Sequence, residues 1–422
     1  MADLRIYYIW LQLVLGPGSG KLPAVLRRFG GAEALHHADS ASRRESGIFS
    51  PAEIQKINKI PLDAADRILE NCKKIGCLVF TPEDEAYPAR LFNTIDPPCA
   101  LYVAGQWPAI DDEAAVTVVG ARRPTGDGVS AAASLAARLA RAGMLIVSGG
   151  ALGIDYAAHM GALAAGGRTV CVMPCGVDCN YPSQNAEMRR LVRERGCLIS
   201  EYPPGTPVPR GAFQARNRLL SGLSLGTVVI EAGKSSGTLI TAHRAVEQGR
   251  DVYVVPGPVG SPVYAGSNRL IQDGAAPLLD AADILTAYAP DYPHKLNLRQ
   301  AAEPFSKEVL TRLADLLAHP HVKTQPDSPP EKRRMPLEKP TVPSRPKSAV
   351  STPQTPVPKR PAGDELSSAA AQIYDAMEAE PLSADYLSVK CGVEAGAVLA
   401  ALTELELLGY IRPVPGGRFE PC

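Results

Sequence analysis

Thr227-Val228-Val229-Ile230-Glu231-Ala232-Gly233-Lys234-Ser235-Ser236-Gly237-Thr238 is the stretch on which the fold turns. Its first four residues are apolar or β-branched and too few for a helix, so they read as a strand covered on both faces. Small and polar residues follow, and Thr238 opens a helix that continues through Leu239-Ile240-Thr241-Ala242. A strand that ends this way offers an anion unpaired backbone N–H groups, hydroxyls and the positive end of a helix dipole. Just upstream stand Arg216 and Arg218 with one aromatic ring, Phe213, a combination that suits nucleotide polymers better than a lone phosphate.

The same alternation extends in both directions. Buried strands are expected at 114–119, 145–148, 169–173, 198–200, 227–230 and 252–255, with helices at 129–142, 154–165, 187–195, 238–248 and 268–273. Residues 111–289 therefore predict an α/β fold, a Rossmann-like, doubly wound, mostly parallel sheet whose strand-end loops line the functional cleft. Short β-like runs at 77–80 and 100–104, broken by Pro82, Pro88, Pro97 and Pro98, are expected to attach at the edge of that sheet, giving a central domain of residues 76–289.

At 422 residues the chain exceeds one ordinary core, and its flanks differ from its centre. Residues 1–75 are helical in pattern and read as a SAM/helix-hairpin-helix-like domain, with Trp10, Leu11, Val14 and Leu15 leading to Gly16-Pro17-Gly18. That hairpin either offers its amides to a phosphate backbone or simply packs. The run Gly16 to Leu22 imitates a P-loop, yet Leu15 stands where the first Gly belongs, Leu22 replaces the magnesium-binding hydroxyl, and no buried strand precedes it; ATP binding is rejected. Residues 290–364 read as a Pro-rich basic linker, with a short helix expected at 307–318 and then, over 326–361, Lys332, Arg333, Arg334, Lys339, Arg345, Lys347, Lys359 and Arg360 in a composition that builds no core. Residues 365–422 return to order as three helices and a two-stranded wing around Gly416-Gly417, a winged-helix domain. Its third helix is poor in Lys and Arg, which favours protein contact or a silent role over reading duplex DNA.

Composition narrows the partners. With 44 basic and 44 acidic residues, any basic surface is local. Nine scattered cysteines read as buried thiols of a reducing compartment, and the spacing of Cys171, Cys175 and Cys179 lacks the close pairs of a zinc site, so no metal is expected. No leader pattern and no stretch of membrane-helix length is apparent, so the protein is expected to be cytoplasmic, with no membrane partner.

The strand ends supply the candidate site. Gly120 allows a tight turn and Arg122 either aims a bidentate guanidinium at a phosphate or pairs with a nearby carboxylate. Ser148-Gly149-Gly150 precedes a helix and is able to cradle a phosphate; Asp155 and His159 read as residues that cap and pack that helix, so no catalytic residue is assigned. Arg189, Arg190, Arg193 and Arg195 read as a solvated helix face. Arg210, Phe213, Arg216 and Arg218 follow the stiff Tyr202-Pro203-Pro204-Gly205-Thr206-Pro207 loop, with Phe213 either a base-stacking platform or a core anchor.

With these motifs assembled the chain resembles the family of DNA-processing protein A, DprA/Smf. The matching runs are Val119-Gly120-Ala121-Arg122, Ser148 to Asp155, Gly176-Val177-Asp178 with Tyr181-Pro182, Ser200 to Gly205, Arg216-Asn217-Arg218 with Ser221 to Ser224, Glu231-Ala232, Ser236 to Ala242 and Pro256-Gly257. The resemblance implies a non-enzymatic protein without cofactors that binds single-stranded DNA, forms a homodimer, protects incoming DNA during natural transformation and loads the RecA recombinase. It puts the DNA pocket on Arg122, the Ser148-Gly149-Gly150 loop, Arg210, Phe213, Asn217 and Ser236-Gly237-Thr238, with Lys234 a looser match. Gln214 and Asp127 depart from the family pattern, which usually has Pro and an aromatic there. The rival class is a nucleoside-monophosphate phosphoribohydrolase on the same sheet, whose helix start carries a Glu where this chain has Thr241.

Overall fold

A computed structural model describes residues 3–318, 366–377, 382–408, 410–414 and 418–421. They fall into two compact units, one within Met1–Lys332 and one within Arg333–Cys422. The Pro-rich stretch 326–361 and Gly416-Gly417 lie outside the described residues, but the linker expected from residue 290 begins later: Leu298–Ala302 and Lys307–Ala318 are helices, and Leu296, Ala301 and Leu313 are buried in the first unit's core.

The first unit is built on nine strands: β1 (Leu78–Phe80), β2 (Leu101–Gly105), β3 (Ala115–Gly120), β4 (Leu145–Ser148), β5 (Thr169–Val172), β6 (Cys197–Ser200), β7 (Gly226–Ile230), β8 (Asp251–Val254) and β9 (Ala276–Pro277). Their order across the sheet is β1-β2-β6-β5-β4-β3-β7-β8-β9. β2 pairs antiparallel with β1 and β6, while the remaining pairs are parallel. Parallel strands connected by helices must be covered on both faces, which is why their sequences are continuously apolar. Alternate residues feed two cores: Val116, Val118, Ile146, Val228 and Ile230 point to one, and Ala115, Val119, Leu145, Val147 and Val229 to the other. The Rossmann-like sheet expected from the sequence is thus observed, with strand and helix ends shifted by a few residues.

Several helices are not apparent in the sequence, among them Ala89–Phe92, Ala281–Tyr288 and, with eleven residues against the strand ends, Ala212–Gly222. Elsewhere small side chains set the packing. The helices Gly126–Arg141 and Ile154–Ala164 approach so closely that a Cβ on Gly161 would sit 2.3 Å from the Ala133 carbonyl oxygen.

Six helices, Arg5–Leu15, Leu22–Phe29, Ala32–His37, Ser40–Glu45, Pro51–Lys59 and Leu62–Lys74, precede the sheet. Trp10 is buried and donates its indole N–H to the Ile60 carbonyl at 3.0 Å, and these helices share one core with the sheet face. The hairpin after the first helix is held from the sheet side. The Gly18 amide donates to both carboxylate oxygens of Glu201 at 3.1 and 3.2 Å, and Gln12 links the Glu201 carbonyl to the Ala100 amide. Glu201 also takes Arg218 Nη2 at 2.8 Å, and Arg218 Nε lies 3.2 Å from Asp96. Of the two roles open to the hairpin, Gly18 fills the packing one, since its N–H is spent on a buried carboxylate.

The second unit holds helices Ser368–Ala376, Ala384–Cys391 and Ala395–Leu407 with strands β10 (Leu382–Ser383), β11 (Ile411–Val414) and β12 (Arg418–Pro421). The strands pair antiparallel in the order β10-β12-β11, so the wing has a third strand beyond the two expected. Ile373, Leu387, Val398, Leu402, Leu405 and Ile411 form its core. Among the described residues no helix is long and apolar enough to cross a membrane.

Removing one partner of a buried ion pair leaves the other charge uncompensated, at a cost of about 3–5 kcal/mol. Glu201→Ala should therefore lower the urea-unfolding free energy by about that amount, and limited proteolysis should cut the Gly16–Gly20 hairpin faster than in the wild type. A hairpin equally resistant in both proteins would show that Glu201 does not hold it.

Candidate nucleic-acid interface

The chain builds β3 to β6 on one side of β3 and then crosses to place β7 on the other. In open α/β sheets ligands bind outside the carboxyl ends of the strands at such a switch point. A cleft of about 420 Å³ opens there, lined by the loops after β3, β4 and β7 and by the helix Ala212–Gly222.

That helix explains which residues reach the cleft. Phe213, Arg216, Asn217 and Leu220 all line it, at spacings of three, four and seven residues that share one helical face. Phe213 is half-buried at the mouth. The exposed Arg122 lays its guanidinium over the ring, 4.5 Å from the centroid, and Tyr181 approaches the ring with centroids 6.0 Å apart. Phe213 also borders a second, smaller cavity of about 60 Å³ beside Gly149, Gly150 and Pro174.

Arg216 and Arg218 correct the sequence reading. Both were expected to face the strand, and both are buried, 5 % and 2 % exposed. Arg218 points away from the cleft into Glu201 and Asp96. Arg216 lies on the cleft floor, where Nη1 donates to the Gly149 carbonyl at 2.6 Å and to the Val172 carbonyl at 2.5 Å, and Nε donates to Asn217 Oδ1 at 3.2 Å. Gly149 leaves the space beneath it, because a Cβ there would press on Nη1 and shift the guanidinium. Arg189 likewise is not a solvated charge: it is buried and donates to the Pro182 carbonyl at 2.7 Å and to Asn180 Oδ1. Arg190 does stay on the surface, paired with Glu187 and Glu194.

The remaining candidates divide by what their polar atoms do. Ser148 is buried and donates its hydroxyl to the Val118 carbonyl at 2.6 Å, tying β4 to β3. Thr238 donates to the Gly120 carbonyl at 3.0 Å and its amide donates to Ser236 Oγ at 3.2 Å, so the helix Thr238–Glu247 starts fixed against the end of β3. Ser236 and Gly237 border the cleft directly. Arg210 and Lys234 are exposed and border neither cavity.

Sequence reasoning also missed the part played by Glu231. It follows β7 with φ of 55°, an uncommon conformation for a residue with a side chain, and is fully buried. Its carboxylate accepts the Thr125 amide at 2.9 Å, the Thr125 hydroxyl and the Tyr264 hydroxyl at 3.0 Å. A lone acid after a buried apolar strand was the available signal.

Asp155 and His159 occupy the places expected of packing residues. Asp155 accepts the Ala151 amide at 3.3 Å and borders the cleft; burial raises its carboxyl above the usual range, against the opposing pull of the Arg216 charge. His159 Nδ1 lies 2.7 Å from Thr169 Oγ1, whose own proton goes to the Ile146 carbonyl, so Nδ1 carries the hydrogen. Cys171 and Cys175 are buried and Cys179 half-buried. Among the described residues no group of three or more His, Cys, Asp or Glu side chains is placed to hold a metal ion.

Residues 78–289 match the family model described as DNA recombination-mediator protein A, and residues 357–417 match the DprA winged helix domain. The chain is similar to the protein Smf of Synechocystis, 31% identical over 357 residues that span 84% of this chain and 82% of that protein. It is also similar to the DNA processing protein DprA of Bacillus subtilis, 36% identical over 218 residues, 52% of this chain and 73% of that one. Among solved structures, DNA processing protein A from Streptococcus pneumoniae aligns with a TM-score of 0.57 at 30% identity, covering 66% of this chain and 97% of that one.

Burial depresses the His159 pKa from 6.5 to about 3, with the Arg216 charge adding to the effect. The unfolded chain therefore binds a proton near pH 6.5 that the folded chain refuses until about pH 3. Stability from this group is complete above about pH 6.5 and declines on acidification. Urea midpoints measured between pH 7.5 and 5 should fall more steeply for the wild type than for His159→Gln; equal slopes would mean that His159 is not held neutral.

Proposed function

This chain belongs to the DNA recombination-mediator protein A family, DprA/Smf, and from that premise we propose that it binds single-stranded DNA across the cleft at the carboxyl ends of β3, β4 and β7. The observation that carries the reading is Arg122, exposed and lying 4.5 Å over the Phe213 ring at the mouth of the cleft. A cation beside an aromatic face serves a phosphate and its neighbouring base together. The start of the helix Thr238–Glu247 faces the same space and favours a second phosphate. Arg210 and Lys234, exposed outside the cleft, are assigned to flanking phosphates, while Ser148, Gly149, Gly150 and Arg216 shape the floor, and Arg218 serves the fold alone.

The role is holding rather than cutting. Thr241 borders the cleft where the phosphoribohydrolase pattern carries a catalytic Glu, and Asp155, already engaged by the Ala151 amide, is the acid that borders it. Release of free base from AMP by the purified chain would reverse this reading. In the cell the protein is cytoplasmic, acts as a homodimer and passes a protected incoming strand to the RecA recombinase during natural transformation; of these, the family description as a recombination mediator supports the role in recombination.

Binding to oligo-dT should be salt-dependent, with a log–log slope of about −0.7 per neutralised phosphate. Arg122→Ala and Arg210→Ala should each weaken affinity roughly 5- to 20-fold and flatten that slope by about one phosphate. Arg218→Ala should lower thermal stability and leave the slope as it is. Fluorescence anisotropy at two salt concentrations reads all three, and unchanged slopes in the first two variants would remove Arg122 and Arg210 from the interface.

A further inference from the structure

We propose that Cys175 and Cys179 form a thiol pair that hydrogen peroxide oxidises to a disulfide, with Cys179 reacting first and Cys175 resolving it. Both are free thiols in the loop that leads from β5 to the helix Ala186–Arg195. A tight turn brings them together. The Cys179 amide donates to the Gly176 carbonyl at 2.9 Å, and a Cβ on Gly176 would fall 2.7 Å from Asp178 Oδ1 and 2.8 Å from the Pro203 carbonyl oxygen. The turn is pinned from the neighbouring loop, where the Thr206 carbonyl accepts the Gly176 amide at 2.9 Å and the Gly205 amide donates to Asp178 Oδ1 at 2.8 Å. Cys175 is fully buried and Cys179 half-buried. Burial, and then its hydrogen bond to Cys179, pushes the Cys175 thiol up to about 12, so Cys175 keeps its proton and the Cys179 sulfur receives the bond. Cys171, the third member of the spacing, does not compete: it is fully buried in β5, with Sγ 3.7 Å from Met173 Sδ and packed against Gly150.

Cys179 has the access that Cys175 lacks. It borders a separate cleft of about 480 Å³ together with Asp178, Asn180, Arg189 and Arg193. The acids there are engaged, Asp178 by the Gly205 amide and Glu194 by Arg190, while Arg193 is exposed and the Arg189 charge acts on both thiols. Partly exposed cysteines in electropositive surroundings are the reactive ones, because the thiolate is the nucleophile, and a resolving thiol beside them traps the product. In the first step the Cys179 sulfur attacks one peroxide oxygen: the S–O bond forms, the O–O bond breaks, and hydroxide leaves as water once protonated. Cys179 is then a sulfenic acid, oxidised by the two electrons that reduced the peroxide. In the second step the Cys175 sulfur attacks the Cys179 sulfur, the S–S bond forms and the S–O bond breaks, and the departing hydroxide takes the Cys175 proton as a second water. Two thiols and one peroxide thus become one disulfide and two waters.

Trypsin releases residues 169–189 as one peptide that holds Cys171, Cys175 and Cys179 and no other cysteine, which makes the outcome readable by mass spectrometry. The folded full-length chain, reduced, exposed to a small excess of hydrogen peroxide and then alkylated, should give this peptide two hydrogens lighter, with Cys171 alkylated and no backbone fragments between Cys175 and Cys179. Dithiothreitol should restore both thiols. In Cys175→Ser, dimedone should trap the Cys179 sulfenic acid at least roughly fivefold more than it labels Cys171 or Cys197. Cys179→Ser should leave Cys175 reduced. A disulfide that joins any other cysteines, or a Cys179 no more reactive than the buried thiols, overturns the inference. The wild-type peptide map needs no variant, so it decides even if neither serine variant folds.

Discussion

The guanidinium of Arg216 lies between the carboxyl ends of β4 and β5, where it takes the Gly149 and Val172 carbonyls. Burying a cation costs several kcal/mol unless hydrogen bonds compensate it, and strand-end carbonyls that have run out of ladder partners supply that compensation. The bond works in both directions, satisfying acceptors that the sheet leaves open and fixing the helix Ala212–Gly222 in register against it. Phe213, three residues earlier, and Asn217, the next residue, reach the cleft because Arg216 is locked. Gly149 leaves room for this, since a Cβ there would push the guanidinium from its place.

The other strand ends are restrained on the same principle. Thr238 bonds the Gly120 carbonyl at the end of β3, Ser148 bonds Val118, and Glu231 after β7 holds Thr125 at the start of the next helix. Glu231 does so from a backbone conformation that costs of order 1 kcal/mol or more, tolerated because its carboxylate collects three donors. Each loop that borders the cleft is thus tied by a side chain from a different segment. A binding surface built this way loses little conformational entropy when a ligand arrives.

Much of this was legible in the sequence. The parallel sheet followed from apolar runs too short for helices, and Gly120, Ser148-Gly149-Gly150 and Ser236-Gly237-Thr238 were found because small residues after such runs mark strand ends. What escaped was the state of the charges. Arg216-Asn217-Arg218 reads as a basic surface cluster, but on a helix its members point in different directions, one to a cleft floor and another to Glu201 and Asp96. Composition does not distinguish a cation that meets solvent from one that meets a carbonyl, and Arg189 misleads for the same reason. The spacing of Phe213, Arg216, Asn217 and Leu220 was the overlooked signal, because the prolines just upstream directed the reading toward a loop. The partners of Gly18 could not be read at all, since Glu201 lies 183 residues away in the chain.

The distribution of charge bears on how a neutral chain would hold the proposed polyanion. With equal numbers of acids and bases there is no net charge to steer it, so any attraction is local. Several central arginines are consumed internally: Arg216 and Arg189 by carbonyls, Arg218 by two carboxylates. Arg122, Arg210 and Lys234 remain exposed. On the proposed reading, phosphates meet exposed cations such as these, and stacking at Phe213 adds a contact that salt screens less. Burying Arg216 costs the protein a surface charge and gives the cleft a rigid polar floor, held by the Gly149 and Val172 carbonyls.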